Sequence, residues 1–141
     1  MTSRSAGPAY GYTAHLTGVS FDDARARITE ALKQEGFGIL TEIDVKATLK
    51  AKLDLDFRRY VILGACNPSL AHRALSTDLG IGLLLPCNVC VWEEEGGSVV
   101  SMARPDAMFQ VVDNPDVRPV ADDADARLKR AFARLTGEAA S

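Results

Sequence analysis

The chain is poor in the residues that most protein chemistry relies on. Its 141 residues include two histidines, three cysteines and one tryptophan. No cysteine and histidine set has a zinc spacing, and a structural four-ligand site would consume nearly every candidate donor. An odd cysteine count is not a disulfide framework, and unpaired thiols fit a reducing cytoplasm. Basic excess is absent as well. A net charge of −3 argues against a general nucleic-acid binder or a ligand of anionic membranes, since both need a basic face. Glycine-rich phosphate loops, serine-centred elbows and paired catalytic carboxylates are all missing. Residues 1–8 contain no apolar h-region, so no secretory signal is expected. No run reaches the ~18 apolar residues of a membrane span, and Pro86 and Asn88 interrupt the best candidate.

What remains is the composition of a globular protein, 47% hydrophobic and 25% charged, long enough to bury a core without staples. Residues 1–8 read as a flexible arm and 9–137 as a single domain. The longest apolar run, Gly80 to Trp92, reads as the central strand. Alternation puts Ile81, Leu83, Leu85, Cys87, Val89 and Val91 on one face. Gly82, Leu84, Pro86, Asn88, Cys90 and Trp92 fall on the other.

Around it, strands are expected near 9–16, 37–43, 57–65 and 99–103, the last joined to the central strand by Gly96-Gly97. Ser20 opens a helix whose Phe21, Ala24, Ile28, Ala31 and Leu32 recur at helical spacing until Gly36. Asp44 is an N-cap for a short helix over 45–53 with Leu49 and Leu53 as its stripe. Asn67 and Pro68 begin a helix over 68–77. Pro105 starts a short helical piece reaching Val112. A helix over 121–135 closes the domain, with Ala124, Leu128, Ala131, Phe132 and Leu135 inside. This order describes an α+β fold: a largely antiparallel sheet of about five strands with helices on one face.

The chemistry to be weighed is sulfur chemistry. Cys87 and Cys90 match C-x-x-C, but along a strand they sit about 10 Å apart on opposite faces, too far for a disulfide. Cys66 and Cys87 make the better pair. Cys66 lies just before a helix N-terminus, where free N–H groups favour thiolate, and Cys87 follows a strand-interrupting proline. Asn67 belongs to the same corner. His72, five residues on, could face the same pocket and assist a thiolate, but an exposed helical histidine is the favoured reading. The alternative is that cysteine is a common small core filler. Asn88, pointing the other way, is expected to serve the strand edge or the dimer and not the pocket. The runs Asp22/Asp23, Glu93–Glu95 and Asp122/Asp123 read as helix starts and a turn. The basic clusters Lys46/Lys50/Lys52 and Arg127/Lys129/Arg130/Arg134 read as solvated helix faces.

Three segments in order, Gly36–Leu49, Ile62–Pro68 with Ala71, and Gly82–Val89, resemble the bacterial domain of unknown function 302. The similarity runs over about residues 10–135. It implies a fold of the TATA-binding-protein-like kind, known in dimeric relatives, with the architecture shared and not the nucleic-acid binding. It supplies positions and no reaction: Cys66, Asn67, Pro68, Pro86, Cys87 and Asn88. Cys90 departs from that pattern, which carries an aliphatic residue there.

The leading expectation is therefore a small cytoplasmic binding domain with a pocket at Cys66 and Cys87 for a metal ion, a sulfur species or a small anion. If a metal binds, Cys66 and Cys87 are its ligands. Two rivals stand beside it: a thiol enzyme with a cysteine nucleophile, and a structural domain with cysteines as filler. Because Trp92, Leu84 and Cys90 share a face that is not plainly polar, a homodimer is expected to cover it.

Overall fold

The structure, a computed structural model, describes residues 7–137 and the backbone of 2–4. Six strands, β1 (Thr2–Arg4), β2 (Gly11–Thr17), β3 (Gly38–Asp44), β4 (Tyr60–Cys66), β5 (Cys87–Glu94) and β6 (Gly97–Ala103), form one sheet. Their order is β1-β2-β6-β5-β4-β3, and every neighbouring pair is antiparallel. Helices α1 (Phe21–Lys33), α2 (Val45–Leu53), α3 (Pro68–Thr77), α4 (Pro105–Met108) and α5 (Arg118–Thr136) complete the chain. The α+β fold expected from sequence is the fold observed.

Local chemistry explains most of the boundaries. Ser20 accepts a hydrogen bond from the Asp23 N–H and caps α1, whose five expected apolar residues are all buried. Asp44 caps α2 through the Ala47 N–H. Asn67 caps α3 through the Leu70 N–H, with Pro68 in the first turn. Gly96, at φ +82°, supplies the left-handed residue of the two-residue β5–β6 turn. The core lies between the sheet and helices α1, α3 and α5. From the strands it takes Ala14 and Leu16, Val61 and Leu63, Val89 and Val91, and Val100 and Met102.

Four expectations are corrected. The central run is not one long strand. Leu79–Leu84 coil into a 3-10 segment, the Leu85–Pro86 peptide is cis, and β5 begins only at Cys87. The ladder explains this. Ala65 is the last β4 partner of β5, opposite Cys87, and β4 gives way to α3 after Cys66. Only Cys66 of β4 lies beyond that pair, so residues before Pro86 have no β4 partner left, and Pro86 has no N–H for the ladder. Meanwhile Asp78 accepts from the Gly80 N–H and starts the coil. Alternation accordingly holds from Cys87 onward but fails before it, and Leu83 is 93% exposed. The arm is corrected in part, the second correction: Thr2–Arg4 lie along β2, whose outer edge would otherwise present unpaired backbone groups, while residues 1, 5 and 6 of the arm lie outside the described residues. Third, the Leu49/Leu53 stripe of α2 does not pack inward; α2 buries no residue and Leu53 is 61% exposed. Fourth, the closing helix begins at Arg118 and not at 121, with Pro119 in its first turn.

Candidate functional site

The site grows from the end of the β4–β5 ladder. Cys66 closes β4 and Cys87 opens β5. Ala65, not Cys66, stands opposite Cys87, so Cys66 is one step beyond the last ladder pair. Two cavities adjoin this corner. The inner one, about 30 Å³, lies among Phe37, Cys66, Leu70, Ala74 and the α5 residues Val120 and Ala124. It has room for about one water. The outer cleft, about 150 Å³, opens between the Leu83–Leu85 coil, Pro86, Asn88 and the Pro105–Phe109 segment. Leu85, Cys87 and Phe109 line both, so Cys87 stands in the wall between them. No charged side chain lines either cavity.

That apolar setting decides the state of the thiols. Burial, together with the nearby Cys66, pushes Cys87 up to about 11. Burial also raises Cys66 above its ordinary value. The expected thiolate at a helix N-terminus is not produced: burial outweighs the helix end, where Asn67 also takes up the Leu70 N–H. Both thiols hold their protons at neutral pH, and Cys66, Cys87 and Cys90 are all unpaired.

The other expected site residues divide. Asn67 lines the inner cavity, but its polar atoms are spoken for: Oδ1 accepts from Leu70 and Nδ2 donates to the Glu35 carbonyl at 3.4 Å. His72 is exposed on α3 and lines neither cavity, so no thiolate–imidazolium pair forms. The helix start it was counted from is right, but five residues on is not the turn that faces Cys66. Asn88 was expected away from the pocket and instead rims the outer cleft, because the coil and Pro86 open that end of the sheet. Among the described residues, no three of the His, Cys, Asp and Glu side chains are grouped as a metal would require. Met108 and Phe109 were missed as wall residues; the apolar pair after Pro105 was their signal.

A second polar cluster was not read at all. The Tyr12 hydroxyl donates to the Asp125 carboxylate, 3.0 Å from each oxygen. Asp125 is 7% exposed. Burial raises its pKa, Tyr12 opposes the rise, and Asp106 adds to it. Arg104 bonds Asp106 from Nε at 3.1 Å and from a second guanidinium nitrogen at 2.9 Å, holding that carboxyl below its usual range, and stacks over the Tyr12 ring. Asp125 interrupts the apolar stripe between Ala124 and Leu128, which was the legible sign. The α5 arginines are also not a plain solvated face. Arg130 and Arg134 clamp the buried Glu35 carboxylate, and Arg127 bonds Asp123.

The open face of the sheet carries aromatic groups. Tyr60 stacks on Trp92, ring centroids 5.2 Å apart and 7° from parallel, and Phe57 lies 6.3 Å from Tyr60. Farther along, Thr13 and Ser101 bond at 2.8 Å, and His15 meets Glu94 at 2.9 Å.

These features define an antiparallel α+β domain with a sulfur-bearing, uncharged double cavity at one sheet end. Residues 12–135 match the model of the Domain of unknown function DUF302, and the chain belongs to that family. A crystal structure of an uncharacterised conserved DUF302 protein from Bacillus stearothermophilus superposes with a TM-score of 0.81. It is 33% identical, and the match covers 91% of this chain and 99% of that one. An uncharacterised protein from Aquifex aeolicus (strain VF5) is 24% identical over 130 residues, 89% of this chain and 84% of its own length.

Proposed function

We propose that the chain is a small binding domain whose ligand site is the pair of cavities divided by Cys87. The observation that carries this is the placement of one partly exposed thiol in the wall of both cavities, with no charge among the lining residues. A charged anion would enter a lining with no cation to meet it, which is costly. The ligand class favoured is therefore a soft cation or an uncharged sulfur-bearing molecule. A thiol enzyme is disfavoured, because a nucleophile needs a lowered thiol pKa and a base beside it. Here the thiols are raised and His72 is remote. Core filler accounts less well for cysteines that border cavities. We place the protein in a reducing compartment, where its unpaired thiols persist. No helix among the described residues is long and apolar enough to cross a membrane. The test is amide-shift mapping with small uncharged thiol and disulfide probes. Shifts centred on 85–88 and 108–109 are expected; their absence at millimolar probe would remove the reading.

Assembly has its own support. The α2 stripe is unburied within the chain, and Tyr60 and Trp92 form an aromatic patch on the sheet face away from the core. The occupant these features fit is a second copy of the chain, with basic α2 (Lys46, Lys50, Lys52) meeting the acidic Glu93–Glu95 turn. Light scattering at micromolar concentration should give twice the chain mass, and Leu53→Glu should halve it. A monomeric wild-type mass would end this reading.

A further inference from the structure

We propose that the Cys87 wall is a site for the monovalent soft cation Cu(I), held by the Cys87 thiolate and the Met108 thioether with Cys66 at hand on the inner side. The inference rests on the pocket reading above and narrows it to one ligand class.

Three observations lead there. The residues lining the two cavities carry three sulfur atoms, from Cys66, Cys87 and Met108, and no carboxylate, imidazole, ammonium or guanidinium. Thiolate and thioether donors favour soft or borderline centres, Cu(I), Zn²⁺ and iron–sulfur clusters, over hard cations. Hard cations such as Mg²⁺ and Ca²⁺ need several oxygen ligands, which this lining does not offer. Zn²⁺ favours four ligands, and among the described residues no such group exists.

Charge decides the donor pair. A bare charge is expensive in an uncharged cavity. Cu⁺ with one thiolate and one thioether is neutral, whereas Cu⁺ between two thiolates is an anion with no cation beside it. Cys87 and Met108 line the same outer cleft of about 150 Å³, so one flexible thioether and one thiol share a space open to solvent. Cys87 and Cys66 share the inner cavity, which places a second thiol behind the first. The exchange balances simply: the Cys87 S–H bond breaks, an S–Cu bond forms, one proton leaves to solvent, and no electron is transferred. Because a thiol must lose its proton to ligate a metal, binding is coupled to that release.

The test is anaerobic titration of the reduced full-length chain with Cu(I) in competition with a chromophoric Cu(I) chelator, with proton release followed in weak buffer near pH 7. One ion should bind per chain and release close to one proton, and Zn²⁺ should not survive desalting. Cys87→Ser should abolish retention. Met108→Leu keeps the apolar volume and should weaken affinity by at least the ~10–100-fold that loss of an outer partner costs a metal site. Cys90→Ser, on the opposite sheet face, should change nothing. Circular dichroism of each variant checks that the fold is kept. Failure to compete with the chelator, an unchanged Met108→Leu, or loss of binding in Cys90→Ser would each overturn the proposal. If neutral probes still shift 85–88 while Cu(I) does not bind, the pocket stands and the cation falls. If neither binds, both fall.

Discussion

Tyr12→Phe isolates the buried acid. The substitution keeps the ring that lies 5.8 Å from Phe132 and under Arg104, and removes only the hydroxyl that donates to Asp125. What is lost depends on the charge of Asp125. Its carboxyl is raised in the folded protein by burial, with Tyr12 pulling it back and Asp106 pushing it up again. The folded state therefore binds this proton more tightly than the unfolded chain does. Stability from this group is full below the unfolded carboxylate pKa and falls as pH rises through the folded value. Without the hydroxyl the folded pKa climbs further, so the penalty grows with pH. A buried acceptor left without its donor costs ~1–3 kcal/mol, and we expect the upper part of that range at pH 8. At pH 5, nearer the raised carboxyl, the loss should be smaller, toward the ~1 kcal/mol of a neutral hydrogen bond. Urea unfolding at the two pH values measures both; with a slope of ~1–3 kcal/mol/M, the pH 8 midpoint should fall by ~1 M. Asp125→Asn keeps an acceptor and removes the charge, so it should flatten the pH dependence. An equal Tyr12→Phe cost at both pH values would refute the reasoning.

The other carboxylates act in the opposite sense. Burial would raise Glu35, but Arg134 and Arg130 outweigh it and hold its pKa down. Glu35→Gln should therefore cost ~1–3 kcal/mol at pH 7 and much less near pH 3, seen as converging thermal midpoints. Gly64 faces Thr41 and Pro86, and a Cβ there would meet the Thr41 hydroxyl and lie 2.7 Å from the proline ring. Gly64→Ala should destabilise by ~1–3 kcal/mol through overpacking, and Gly64→Ala with Thr41→Ala should recover part of that in a double-mutant cycle.

The helices were legible because their caps are local. Ser20, Asp44 and Asn67 each bond an N–H three residues on, and nothing distant is needed to read that. The β5–β6 hairpin was legible for the same reason. The false start of β5 shows the limit. Residues 80–86 have the composition of a strand, but whether a strand forms depends on a partner, and β4 ends at Cys66. That is a tertiary fact. The same holds for the site. The Cys66/Cys87 corner could be named from Pro68 and Pro86, whereas Met108 and Phe109 arrive from beyond β6 and leave no periodic mark. The protonated state of the thiols is not legible in the sequence, because burial, which raises both, is a product of tertiary packing.

The central claim, that Cys87 is a protonated thiol in a reachable cavity wall, is tested most directly by one pH–rate profile. In a Cys66→Ser/Cys90→Ser background only Cys87 remains, and its alkylation by iodoacetamide in the folded protein can be followed by mass spectrometry. The account predicts slow reaction at pH 7, rising about tenfold per pH unit past pH 9 without a plateau, because burial, the larger cause of the raised thiol, remains when Cys66 is replaced. Modification seen only under unfolding conditions, or a plateau below pH 8, would contradict it.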